Sequence, residues 1–276
     1  MTKPLRHDEI RLIIKPADAP ADSTRPIPAR VLQRTFSTVL RSLKVADAEL
    51  HDKAHRSEFF ISHLAMGSNE IGVFEQPRSA SPMSSIDLFR QITGSIYRSE
   101  FERAAESENV AKSVVAVGKA VDIDFPAVAL FPTDSIPLDG FFAKQADRLR
   151  QTMTTSGLKS LFFAGSAIGA FDGTLGEIDY RGPTWTGHLV LPGGGVQIEC
   201  VFNRSMGEDA FNRYGNKRVS ISGRAIYTGD SQLPERIEVK TIEEIPLARE
   251  AIDIRGSLSG KRYFGVRGNS DGKNLQ

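Results

Sequence analysis

A mixed α+β region followed by a small closed β-barrel is the fold class this sequence predicts, and three observations predict it. First, the stretch from Leu161 to Pro246 holds five short segments in which apolar and polar residues alternate. That two-residue period belongs to strands with one buried face. The segments are Gly169 to Tyr180, Trp185 to Leu191, Val196 to Phe202, Arg218 to Tyr227 and Arg236 to Ile242. Second, turn formers separate them, Pro192-Gly193-Gly194-Gly195 after the second and Gly215-Asn216 before the fourth. Third, the polar–apolar segment Ser205 to Tyr214 supplies one short insertion between the third and fourth strands. Five strands with a single helix at that place is the order of an OB-like barrel, which 161–246 is read to form.

The remaining chain predicts the α+β part. Of its 276 residues 40% are apolar, enough for two or three domains. We expect an α+β region over 9–156, divisible into 9–78 and 84–156, then the barrel, then a basic tail over 256–276. Ile10 to Lys15 reads as a strand, and Pro16 to Pro28, with four prolines, as a loop. Pro28 suits the start of a helix, where a missing amide hydrogen is no loss. Val31, Leu32, Phe36, Val39, Leu40 and Leu43 then recur at helical spacing, with Arg34, Arg41 and Lys44 on a solvated side. Ser57 to Ala65 and Glu70 to Glu75 form a hairpin around Gly67-Ser68-Asn69, giving a three-strand sheet with the first strand.

After a Ser/Pro-rich break, Ser84 or Ser85 caps a helix carrying Ile86, Leu88, Phe89, Ile92, Ile96 and Tyr97. Val110 to Ala120 is a further apolar helix, Phe125 to Phe131 a buried strand, and Leu138 to Met153 an amphipathic helix. The boundary with the barrel falls near Thr154 to Gly157.

Composition narrows the function classes. The net charge is +1, and one cysteine, Cys200, excludes an internal disulfide and offers no thiolate cluster for a metal. No apolar run approaches a membrane span, and acidic residues enter the first fifteen positions before any apolar core, so neither a membrane nor a signal peptide is expected. A cytoplasmic protein of a bacterium or phage is the simplest setting. From Leu161 to Ile245 there are 8 Lys and Arg against 11 Asp and Glu, so the barrel is net acidic. From Arg255 to Gln276 five cations oppose only Asp271.

Candidate chemistry is sparse. His51 and His55, at i and i+4, lack the intervening acid of a zinc-protease helix and read as helix-end surface residues. Asp172, Glu177 and Asp179 read as a soluble barrel rim. Cys200 shares a strand face with Ile198 and Phe202 and reads as a core thiol. Gly193 to Gly195 lack the Lys-Ser or Lys-Thr of a phosphate loop. No cofactor or metal is expected. Basic and aromatic residues of the barrel give a candidate nucleic-acid patch: Arg181, His188, Lys217, Arg218, Arg224 and Arg236 for charge, with Tyr180, Trp185 and Tyr227 for stacking. Alternation sets His188 with Thr186 on one face and Trp185 with Leu189 on the other.

Several phrases carry a resemblance: Gly165-Ser-Ala-Ile-Gly169, Ile198-Glu-Cys-Val-Phe202, Tyr214-Gly-Asn-Lys-Arg-Val-Ser-Ile-Ser-Gly-Arg-Ala225, Ile237-Glu-Val-Lys-Thr-Ile-Glu243 and Phe59-Phe-Ile-Ser-His-Leu-Ala-Met-Gly-Ser68. Together, from about Glu9 to Gly256, the chain resembles an uncharacterised group of bacterial proteins with an amino-terminal α+β region and a carboxy-terminal OB-like barrel. The resemblance implies architecture and transfers no catalytic residue. The leading expectation is therefore a noncatalytic interaction or adaptor protein, in a setting such as bacterial defence or phage biology, that binds a protein partner or itself. The alternative is a single-stranded nucleic-acid binder. A third is an enzyme whose site is assembled from distant segments.

Overall fold

The structure, a computed structural model, describes residues 5–17, 26–52, 56–65, 69–78, 82–154, 162–179, 184–193, 195–202 and 213–246. Contacts group Met1–Ile245 as one unit and Pro246–Gln276 as another. The expected tail, 256–276, lies outside the described residues.

The α+β part is built on one five-stranded sheet. β1 (Glu9–Ile14) lies at its centre, between β3 (Glu70–Gln76) and β4 (Ala127–Leu130), while β2 (Glu58–Ala65) and β5 (Ser135–Leu138) form the edges. Every pairing in it is antiparallel. Ile10, Leu12 and Ile14 alternate on β1 and are buried, as are Ile71 and Val73 on β3. Strands with one such apolar face need a helical layer to cover it. That layer is α1 (Ala29–Leu50), α2 (Ser85–Tyr97), α4 (Glu108–Ala120) and α5 (Gly140–Thr154), with the short α3 (Phe101–Ala105) between α2 and α4.

Helix boundaries follow local chemistry. Pro28 stands at the N-cap of α1, and the Ser84 hydroxyl accepts the Asp87 amide to cap α2. The predicted stripe on α1 buries Val31, Val39 and Leu43, with Leu32 and Phe36 packed against the same core. At Gly118 a Cβ would meet the Ala146 Cβ at 2.4 Å, so glycine lets α4 and α5 approach closely.

The sheet has five strands where three were expected. β5, which holds Pro137, was not expected from the sequence. The proline stands on an edge strand, where a missing amide hydrogen costs little. β4 pairs with β1, so strands from both sides of 79–83 share this sheet.

The barrel follows. Its strands are β6 (Ala164–Asp179), β7 (Trp185–Val190), β8 (Gln197–Phe202), β9 (Arg218–Thr228) and β10 (Arg236–Glu244). They close in the order β10-β8-β7-β6-β9, with β8 and β10 parallel and the other pairs antiparallel. This is an OB-like order. β6 starts five residues before the expected first strand, because Ala164 to Gly169 is too small-sided to show alternation. Most of the segment Ser205 to Tyr214 lies outside the described residues.

Leu175, Leu189, Ile198, Cys200, Val219, Ile221 and Ile237 fill the barrel interior. Gly223 pairs with Val239 at the register shift on β10, and a Cβ there would stand 2.1 Å from the Glu238 carbonyl oxygen. Only glycine fits that bend.

Side chains also join barrel to helices. Arg236 is 3% exposed and directs Nη1 to Asp139 Oδ2 at 2.9 Å and to the Tyr97 hydroxyl at 3.2 Å. Its Nε and Nη2 reach Glu199 Oε2 at 2.8 and 2.7 Å, and its guanidinium lies 4.1 Å from the Phe141 ring centroid. Burial alone would weaken its hold on the proton, but Tyr97, Asp139 and Glu199 more than offset this and keep it charged. Ser166 donates to Glu100 at 2.7 Å, and Ile226 of β9 is buried in the helical core.

Candidate nucleic-acid interface

The barrel's outward face on β7 and β8 is made of Thr186, His188 and Val190 opposite Val201, Glu199 and Gln197. Gly187, Leu189, Ile198, Cys200 and Phe202 point inward and are buried, which fixes this parity. His188 and Gln197 are exposed. Glu199 is the only carboxylate on the face, and buried Arg236 engages it from the side.

The sequence candidates distribute as follows. His188 is exposed and Trp185, on the opposite parity, packs half-buried against the barrel core. Tyr227 also packs on that core and meets Phe163 edge-on, ring centroids 5.4 Å apart. Lys217 pairs with Glu244 at 3.1 Å and Arg224 with Glu238 at 3.5 Å. Arg218 is exposed at the start of β9. Arg236 is buried at the junction with the helices. Tyr180 and Arg181 lie outside the described residues. Lys217 and Arg218 are neighbours, but the described candidates do not lie together on one face.

A cleft of about 1080 Å³ was not anticipated from sequence. Phe101, Arg103, Arg148, Phe163, Ser166 and Asp230 help to line it, between α3, α5 and the barrel. Phe163 is 58% exposed there. The doublet Phe162-Phe163 was its sequence signal, masked because it precedes the expected first strand. Arg148 pairs with Asp230 across the cleft, and the nearby Glu100, Glu102 and Glu106 leave it acidic.

Other candidate chemistry resolves into packing. His51 Nδ1 stands 3.0 Å from Asp47 Oδ1, which also accepts the Ser57 amide at 3.0 Å, so this histidine ties the end of α1 to the approach to β2. His55 lies outside the described residues. Among the described residues no group of three or more His, Cys, Asp or Glu is placed to hold a metal ion. Cys200 is buried, and burial pushes its thiol up to about 12. It stays protonated at neutral pH and is no nucleophile. No described helix is long and apolar enough to cross a membrane.

Fold and site together define an OB-like barrel carried on an α+β body. No family model, curated protein or solved structure matches the chain. Of the resemblance carried by its motifs, the structure bears out the architecture, a mixed α+β region followed by a closed five-stranded barrel.

Proposed function

We propose that this chain is a noncatalytic binding protein whose ligand is a single-stranded nucleic acid, recognised on the outer face of β7 and β8. The observation that carries the reading is that the face through which OB-like barrels bind oligonucleotides is partly open, with His188 and Gln197 exposed on it. Its one carboxylate, Glu199, is engaged by Arg236, so the face repels phosphate less than the barrel's net charge implies. His188 and Gln197 supply exposed polar groups for sugar and base edges. Tyr180 and Arg181, in the chain between β6 and β7, join the proposal by sequence position, since that loop flanks the ligand in such barrels. Fluorescence anisotropy with a labelled oligonucleotide tests it. Binding that weakens with added salt is expected. No binding at protein concentrations on the order of 50 µM in low salt overturns it.

A second reading, self-association or capture of a protein partner, is favoured by β2. Among the described residues this edge strand pairs with β3 alone, and Phe60, Ile61 and Leu64 are exposed on it. An apolar edge with open backbone groups favours strand addition. Sedimentation velocity checks it, and a chain that stays monomeric at every concentration removes self-association.

A further inference from the structure

We infer that the outer face of α1, with the groove beside it, binds the phosphate backbone of a single strand. Between Ala29 and Ala46 the helix carries Arg30, Arg34, Arg41 and Lys44 and no acidic residue. These positions fall within one arc of the helix, and all four side chains are exposed. At 1.5 Å per residue the row spans about 21 Å. That length suits a chain of several phosphates better than one small anion.

Several cations elsewhere on the chain are paired. Arg78, Arg90, Lys112, Arg150 and Lys217 each meet a carboxylate. Among the described residues Arg30, Arg41, Lys44 and Arg56 meet none. Arg34 turns to the Lys119 carbonyl oxygen, tying α1 to the end of α4. Like charges spaced three and four apart on a helix repel one another. A row of them that meets no carboxylate among the described residues is therefore best satisfied by a bound polyanion.

A groove of about 520 Å³ opens beside the row, where Arg41, Lys44 and Arg56 stand with Asn109, Val45 and one acid, Glu49. Three cations against one carboxylate give the groove a positive field. The Asn109 amide adds a donor for a phosphate oxygen. This face lies on α1 and α4, away from β7 and β8, so a strand touching both would run from barrel to body. The inference rests on the nucleic-acid reading above, and the test separates the two.

The experiment compares the full chain with the triple variant Arg41→Gln, Lys44→Gln and Arg56→Gln. Anisotropy of a labelled oligothymidylate is followed between about 50 and 200 mM salt. All three side chains are exposed, and thermal melting of the variant verifies its fold. Loss of three phosphate contacts should lower the steepness of log affinity against log salt by about 2, and weaken binding at least about tenfold in low salt. Unchanged affinity and slope in the variant, with the oligonucleotide still bound, overturn this inference and leave the barrel reading standing. Failure of the unmodified chain to bind overturns both. A groove that takes inorganic pyrophosphate while the triple variant keeps its full affinity for the oligonucleotide also overturns it, in favour of a free phosphate ligand.

Discussion

The body and the barrel both fill their interiors with Leu, Ile and Val, but the body adds more aromatic bulk. Most of the largest fully buried side chains, including Tyr97, Phe89 and Phe142, belong to the body, and the barrel adds Leu175 to that set. The barrel closes around Leu, Ile and Val side chains, with small residues at its tightest places. Cys200 and Ala225 are fully buried there, and a Cβ at Gly173 would stand 2.6 Å from the Val190 carbonyl oxygen. The body is thus held by interdigitated bulk between helices and sheet. The barrel is held by a closed ladder of backbone hydrogen bonds around a narrow bore. It follows that both interiors are sensitive to atoms removed, and the barrel also to atoms added at Gly173 and Gly223.

The largest expected effect falls where the two meet. Arg236→Ala strands Asp139 and Glu199 beside a buried Tyr97 hydroxyl, and should cost about 3–5 kcal/mol in urea unfolding. A loss within experimental error would break the view that this cluster fastens barrel to body. Next comes Gly223→Ala, which places a methyl group against the backbone of β10. A cost of about 1–3 kcal/mol is expected from overpacking, and a neutral result would mean that the bore is wider than described.

The smallest effect belongs to the sheet of the body. Glu9 is buried, which pushes its carboxyl upward, but the Ser62 hydroxyl, the Arg6 amide and Arg11 outweigh this and hold it below its ordinary 4.5. A carboxyl lowered by folding binds protons more readily in the unfolded chain. Its contribution is therefore complete above about pH 4.5 and is lost as pH falls through the folded value. Glu9→Gln should flatten the acid limb of the urea midpoint against pH below about 4.5, leaving the neutral plateau to report only the lost hydrogen bonds. An unaltered acid limb would show that this carboxyl is not held down by its neighbours.

What sequence could show was local. Alternation separated His188 and Thr186 from Trp185 and Leu189, because a strand's parity is written in consecutive residues. β5 was not legible, since four residues with a central proline carry no period. Arg236 looked like a surface cation because its partners lie at 97, 139 and 199, brought together only by the closure of barrel onto helices. Lys217 and Arg224 likewise found carboxylates across neighbouring strands. The cationic row of α1 was visible as residues, but the groove beside it depended on Arg56 and Asn109, brought there from the approach to β2 and the start of α4.

Trp185 is the single tryptophan of the chain, and it leans on the barrel core. Its emission is therefore a built-in optical reporter for one half of the molecule, needing no dye. Circular dichroism at helical wavelengths watches the other half, since every helix longer than five residues among those described lies in the body. Following both signals through one denaturation would show whether the halves come apart together or in sequence.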